Sequence, residues 1–292
     1  MKMPEIKNAY TDTTVVLTSD IHLCHLSWYG VDSPTRIDKM IADLNDYREK
    51  VNYSKILMLG DYSLDFWVHS ICGSWINQKL SNTDNIIKGY FSRLDCQDYC
   101  MIPGNHEQYS GEQWKEITGF DRQFYTYVGG YLFIMLDNFS GNLDPKEHSD
   151  GTYTLTDVNY IKEVMALYPD APVVLCAHWI DPEKEAENLA DFVKNEQRVL
   201  CMFVGHDHTT AIDTLGDEWG NKKIIHSGNY SYVKRTISIK DSMWGWRVLK
   251  LSSKGIDVSY YTPQSTLTAD GELYTNVAGY QDAVFIENPL TK

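Results

Sequence analysis

Residues 198–208 read RVLCMFVGHDH, an apolar and largely β-branched run that stops at a glycine and then presents His206 and His208 one residue apart. A short continuous apolar run of this kind reads as a strand buried on both faces. Side chains at i and i+2 of a strand share a face. Both imidazoles are therefore expected to point one way, with Gly205 turning the backbone ahead of them. Such a pair suits a metal ion, provided that other segments supply partners.

Working outward, six further runs have the same character: TVVLTSDIH (14–22), KILMLGD (55–61), YCMIPGNHE (99–107), YLFIMLDN (131–138), PVVLCAH (172–178) and KIIHSGN (223–229). Helical spacing lies between some of them. Ile37, Met40, Ile41 and Leu44 fall at i, i+3, i+4 and i+7, with Ser33 as the expected N-cap and Pro34 at the first helical position. Ile161, Val164, Met165 and Tyr168 predict a second helix capped by Thr156. Residues 182–197 predict a third, acidic in its first half as a helix N-terminus favours; its run Glu183–Glu187 reads as a solvated face. Hairpins are expected at Gly129-Gly130 and at Ser252–Gly255. Strands alternating with helices, interrupted by hairpins, give an α/β class. The expected architecture is a four-layer α/β/β/α sandwich of two mixed β-sheets flanked by helices. It occupies residues 1–263, with 264–292 as a C-terminal extension packed on or peripheral to that domain.

The 292 residues are 43% hydrophobic and 23% charged, as in a soluble globular protein. No apolar run approaches the roughly 20 residues that cross a bilayer, and the first residues lack the apolar core of a secretory signal. The expected location is cytoplasmic, with no membrane partner. Forty acidic against 26 basic residues leave a net charge of −14, which disfavours nucleic acid as a partner because phosphate backbones are held by Lys and Arg. A small phosphorylated substrate stays open, since bound cations reverse a local field. The six cysteines have no CxxC spacing and read as small buried hydrophobes.

The ends of five strands are rich in metal-ligand chemistry: Asp20 and His22; Asp61; Asn105 and His106; His178; His206 and His208. Ligands of open α/β sheets bind beyond the carboxyl ends of the strands, so these clusters are expected in one crevice. Their oxygen and nitrogen donors suit Mn²⁺, Fe or Zn²⁺, with no thiolate required. In order, Asp20-Ile21-His22, Gly60-Asp61, Gly104-Asn105-His106-Glu107, His178 and Gly205-His206-Asp207-His208 resemble the D-x-H, GD, GNH[ED], H and GHxH blocks of the calcineurin-like metallophosphoesterases. All five are present between residues 20 and 208.

The resemblance implies that the two mixed sheets form the metallo-dependent phosphatase-like fold. It also implies two divalent metal ions, Mn²⁺ in the first place and Fe or Zn²⁺ as alternatives. Asp20, His22, Asp61 and His208 would hold one ion, and Asn105, His178 and His206 the other, with Asp61 bridging both. A bridging hydroxide would attack phosphorus in line with the leaving oxygen, and catalytic His106 would stabilise the phosphoryl oxygens or protonate the departing alkoxide. There are departures. Leu64 stands where family members carry Asp or Asn, which leaves Asp65 or Glu107 to orient His106. The Arg that follows GD in protein phosphatases is absent, and Leu64 also occupies the place of the metal-binding Tyr of purple acid phosphatases. His25 and His226 lie close enough to the motifs to touch a substrate phosphate.

Aromatics flank the blocks: Trp28, Tyr29, Tyr62, Phe66, Trp67, Tyr109 and Trp179. They read either as loop packing or as stacking surfaces for a nucleobase. The expected activity is a metal-dependent phosphoric-ester hydrolase, in first place a phosphodiesterase of a small nucleotide-like phosphodiester. Alternatives are a phosphomonoesterase, a nuclease using Lys222, Lys223, Lys234, Arg235 and Lys240 as a basic patch, and a non-catalytic protein-binding scaffold. A scaffold is expected to have lost ligands, whereas all are present here.

Overall fold

The computed structural model describes residues 10–24, 27–28, 31–64, 81–143, 151–231, 244–263, 266–267, 273–274 and 282–291. Two six-stranded mixed sheets form its framework. Their strands are β1 (Thr13–Thr18), β2 (Lys55–Met58), β3 (Tyr99–Met101), β4 (Phe124–Val128), β5 (Tyr131–Leu136), β6 (Val173–Ala177), β7 (Val199–Val204), β8 (Ile212–Thr214), β9 (Lys223–His226), β10 (Trp246–Ser252), β11 (Gly255–Tyr261) and β12 (Ala283–Glu287). The first sheet runs β12-β11-β10-β1-β2-β3, parallel from β1 to β3 and antiparallel beyond β1. The second runs β8-β9-β7-β6-β5-β4, with a parallel centre and an antiparallel strand at each edge.

Strand alternation divides the apolar residues among three layers. Val15 and Leu17 of β1 join Leu57, Phe133, Val174, Phe203 and Leu249 in the core between the sheets. Val16, between them, turns outward to Ile56, Met58 and the apolar stripe of helix α1 (Ser33–Val51). On the other side Leu132, Ile134 and Leu136 alternate with Phe133 and pack on α3 (Val158–Leu167) and α4 (Leu189–Asn195). The result is the expected four-layer sandwich. Both expected hairpins form, with Gly129 and Gly130 at φ +60° and +94° between β4 and β5.

Helix starts differ from the sequence reading by one residue. Asp32, not Ser33, caps α1 by accepting from Thr35 N at 2.8 Å; Ser33 is buried and its hydroxyl accepts from Arg36. Asp157, not Thr156, caps α3, because the Thr156 hydroxyl donates to Glu185 at 2.8 Å. The third predicted helix shrinks to α4, and residues 182–188 form turns. Glu185 explains the loss. Far from lying on a solvated face, it is fully buried and accepts from Tyr153, the Thr156 N–H and hydroxyl, and Asn188. Helix α2 (Gly111–Thr118) is an addition to the reading, started by a Ser110/Gln113 capping box too short to show periodicity. Strand β12 lies within the 264–292 segment and pairs with β11. Among the described residues no helix is long and apolar enough to cross a membrane.

Candidate metal centre

All five clusters follow the carboxyl ends of parallel strands: β1, β2 and β3 in one sheet, β6 and β7 in the other. The loops are stitched to one another by backbone bonds. Asp20 N donates to Gly60 O at 3.0 Å, His22 N to Asp61 O at 3.0 Å, and Gly205 N to His178 O at 2.8 Å. Asp20, His22, Asp61, His206 and His208 have φ of +54°, +53°, +58°, +71° and +61°. Left-handed conformations of this kind cost of order 1 kcal/mol or more per non-glycine residue, and persist where surrounding structure imposes them. This corrects the shared-face expectation for His206 and His208. Both lie past the end of β7, and each is turned by its own backbone rather than by strand alternation.

Glycine is required where two of the loops cross. A Cβ on Gly104 would stand 2.1 Å from Asp61 Oδ1, and one on Gly60, at φ +96°, would stand 2.6 Å from the Gly104 backbone.

Asp61 Oδ2 is the hub. It lies 3.3 Å from His22 Nε2, 3.3 Å from His178 Nε2 and 3.7 Å from His106 Nε2. On one side of it, Asp20 Oδ1 is 3.3 Å from His208 Nε2 and 3.7 Å from His22 Nε2. On the other, Asn105 Oδ1 is 2.9 Å from His178 Nε2 and 3.0 Å from His206 Nδ1. The structure thus brings together all seven sequence-predicted ligands and His106. His206 is partly exposed and the others are buried.

The electrostatics follow from burial without dilution by water. Burial pushes the Asp61 carboxyl up, but His178 and His106 outweigh it and hold the group well below the usual carboxylate range. His22 is pushed down by burial and up, further, by Asp20 and Asp61, to about 9. His178 behaves alike, reaching about 9 beside Asp61. Burial and the neighbouring His178 take His206 to about 4.

These groups fit divalent ions. Asp20 Oδ1 is buried without a hydrogen bond among the described residues. Asp20, His22 and His208 offer donor atoms within 4.8 Å of one another, as do His22, Asp61 and His106, and Asp61, His178 and His206. Nitrogen and carboxylate donors at such spacing suit borderline transition metals.

Supporting groups aim the donors. His178 Nδ1 lies 2.6 Å from Leu59 O. Asp20 Oδ2 accepts from Ser19 Oγ and, at 3.0 Å, from His206 N. Glu107 does not orient the His106 ring: both its oxygens accept backbone N–H groups, those of Gly104, Asp61, Tyr62 and Ser63. His226 is buried between two carboxylates, 2.9 Å from Asp207 Oδ2 and 3.3 Å from Asp213 Oδ2. Tyr62 and Tyr109 are core residues stacked about Trp114. Trp179 stands at the site, its ring 5.4 Å from His206. His25, Asp65, Tyr29, Phe66, Trp67 and the side chain of Trp28 lie outside the described residues.

Arg36 escaped the sequence reading. It is buried, and its guanidinium donates to the carbonyls of Ile21, Tyr230 and His22. Its signal was an arginine on the apolar face of a helix, next to Ile37 and four residues before Met40.

The calcineurin-like phosphoesterase family model matches residues 13–210. No curated protein matches in sequence. Solved structures of similar fold include a dimetal phosphatase from Danio rerio, with TM-score 0.63 and 14% identity, covering 94% of this chain and 98% of that one. A purple acid phosphatase from yellow lupin (Lupinus luteus) seeds gives 0.55 and 11%, covering 96% of this chain and 54% of that one. The anchor in the inner membrane complex of Plasmodium gives 0.54 and 12%, covering 96% and 90%. At these identities the likeness extends to the fold alone. Phosphatases and an anchor share it, so activity has to be argued from the site.

Proposed function

The chain belongs to the calcineurin-like phosphoesterase family, and from that premise we propose that it is a metal-dependent phosphodiesterase acting on a small nucleotide-like phosphodiester. The observation that carries the proposal is the position of Asp61 Oδ2, 3.3 Å from both His22 Nε2 and His178 Nε2, between two groups of donors. One carboxylate so placed can serve two cations. Asp20, His22, Asp61 and His208 would hold one ion. Asp61, Asn105, His178 and His206 would hold the other, with Mn²⁺ as the first choice. When bound, such a pair supplies Lewis acidity toward phosphoryl oxygens and brings the ionisation of water toward neutral pH.

The protein's own groups then act on the ester. Asn105 brings a neutral oxygen, so the centre keeps net positive charge for a phosphate. His106 sits beside the shared carboxylate, where it can donate to a phosphoryl oxygen or protonate the leaving alkoxide. Trp179, next to His206, offers a ring for a base to stack on.

A nuclease is disfavoured by the net charge of −14. Of its supposed basic patch, Lys222 donates to Val199 O and Lys223 to Thr214 Oγ1; Lys234, Arg235 and Lys240 lie outside the described residues. A scaffold role is disfavoured by retention of every donor. A cytoplasmic location belongs to the same proposal and is supported by Cys96, Cys100, Cys176 and Cys201, buried thiols without a disulfide among the described residues.

The test is hydrolysis of bis(p-nitrophenyl) phosphate and p-nitrophenyl phosphate with Mn²⁺, after chelation, and with Asp61→Asn. Faster turnover of the diester, lost on chelation and in the variant, is expected. Preference for the monoester would assign a phosphomonoesterase, and no metal-dependent cleavage of either would overturn the hydrolase reading.

A further inference from the structure

Glu107 is fully buried, and among the described residues no cationic side chain pairs with its carboxylate. Isolating a carboxylate in this way costs several kcal/mol unless hydrogen bonds offset it. Here four backbone donors offset part of that cost. Oε2 accepts from Gly104 N and Asp61 N, each at 2.8 Å, and Oε1 accepts from Tyr62 N at 2.9 Å and Ser63 N at 3.2 Å. Three successive N–H groups of the Asp61 loop therefore converge on one anion, as in the backbone nests that bind external anions. Glu107 itself is covalently part of the loop that carries Asn105 and His106. Its carboxylate thus ties the loop of the shared ligand to the loop of its neighbours.

The tie falls where the backbone most needs support. Asp61 is held at φ +58° directly after Gly60 at φ +96°. Its Oδ1 accepts from His106 N at 3.2 Å, while Oδ2 reaches His22 and His178. If the three N–H groups were released, Asp61 could relax toward ordinary φ and swing the shared oxygen out of line.

We propose that Glu107 is a positioning residue whose carboxylate, acting as an internal anion, holds the Asp61 loop so that Asp61 Oδ2 faces both candidate metal subsites. The inference rests on the two-metal reading above. It assigns Glu107 to the bridging carboxylate and not to His106. A glutamine of the same shape keeps one acceptor but turns an NH₂ group toward two N–H donors.

The test is calorimetric titration of Mn²⁺ into the chelated full chain, for wild type, Glu107→Gln and the control Glu185→Gln, with thermal melts of each. Glu185 is an equally buried carboxylate bonded to Tyr153, Thr156 and Asn188, and among the described residues it makes no hydrogen bond to any of the donors. E107Q should bind Mn²⁺ roughly 10–100-fold more weakly, the range expected for a group that orients a ligand, while E185Q keeps wild-type affinity. If wild type binds no Mn²⁺, the metal reading itself fails. If wild type binds and folded E107Q binds equally well, or if E185Q weakens binding as much, the role given to Glu107 fails. Should E107Q not fold, Glu107→Asp is judged by the same criterion. Failure of both to fold while E185Q folds would make Glu107 a requirement of folding and overturn the proposal.

Discussion

His178 Nδ1 lies 2.6 Å from the carbonyl oxygen of Leu59, two residues before Asp61. That contact fixes which edge of the ring faces the site. With Nδ1–H donating to the carbonyl, Nε2 is aimed at Asp61 Oδ2 and Asn105 Oδ1, 3.3 and 2.9 Å away. A ligating histidine is commonly oriented by a hydrogen bond from its other nitrogen. Leu59 is itself anchored, since its N–H donates to Thr18 O at 2.9 Å.

Protons and cations compete for this ring. In the folded chain burial lowers His22 and His178, but neighbouring carboxylates raise both to about 9, above the ordinary 6.5. Between those values the native state binds more protons than the unfolded one. Their contribution to stability is whole below about pH 6.5 and is lost as pH rises through about 9. His206, lowered by burial and by His178 to about 4, has the opposite sign, and its contribution is lost as pH falls from 6.5 through 4. Thermal melts in chelator should therefore decline as pH rises from about 6.5 toward 9. A melting temperature that is flat or rising over that upper range would contradict the assignment.

His106 stands beside the shared carboxylate without belonging to either proposed ligand set. His106→Ala should lower turnover roughly 10²–10⁴-fold, as removal of a general acid does. Metal content, measured by elemental analysis of the dialysed protein, should stay at the wild-type value. Loss of an ion would instead make His106 a ligand.

Gly104 leaves room for the Asp61 carboxylate. Gly104→Ala would set a methyl group 2.1 Å from Asp61 Oδ1, so either the loop or the carboxylate must move. We expect a loss of at least about 1–3 kcal/mol in urea denaturation, the cost of overpacking a filled interior, together with weaker Mn²⁺ binding. A variant unchanged in both would show that the loops are free to separate.

Arg36 plays the opposite charge to Glu107. It gathers carbonyl oxygens of Ile21, His22 and Tyr230 instead of N–H groups. Arg36→Met should fill much of the space but leave those acceptors unmet. The expected loss is at least about 2 kcal/mol, from charge-assisted hydrogen bonds and exposed desolvation penalties. Chemical denaturation measures it, and a cost under half that value would mean that water replaces the guanidinium.

Much of this was legible in the sequence. Apolar runs located β1, β2, β3, β5, β6, β7 and β9, because burial on both faces leaves a local pattern. The misplacements are instructive. Ser33 and Thr156 were good caps by type, and each lost to an aspartate next to it. The Thr156 hydroxyl was drawn to Glu185, a carboxylate almost thirty residues away that composition alone places at the surface. A cap is decided by which side chain is left over once distant partners are satisfied.

The sequence by itself determined the strand runs, the order of the donor blocks and the family that this order resembles. Those properties reside in short-range spacing and residue chemistry. Only the tertiary structure decided how the donors meet. It put His206 and His208 in left-handed turns instead of on one strand face, made Asp61 the common oxygen, and gave Glu107 and Arg36 to backbone groups of the ligand loops. The physical reason is that every buried N–H and C=O must find a partner, and the partner is chosen by proximity in space, to which neighbours in sequence are blind.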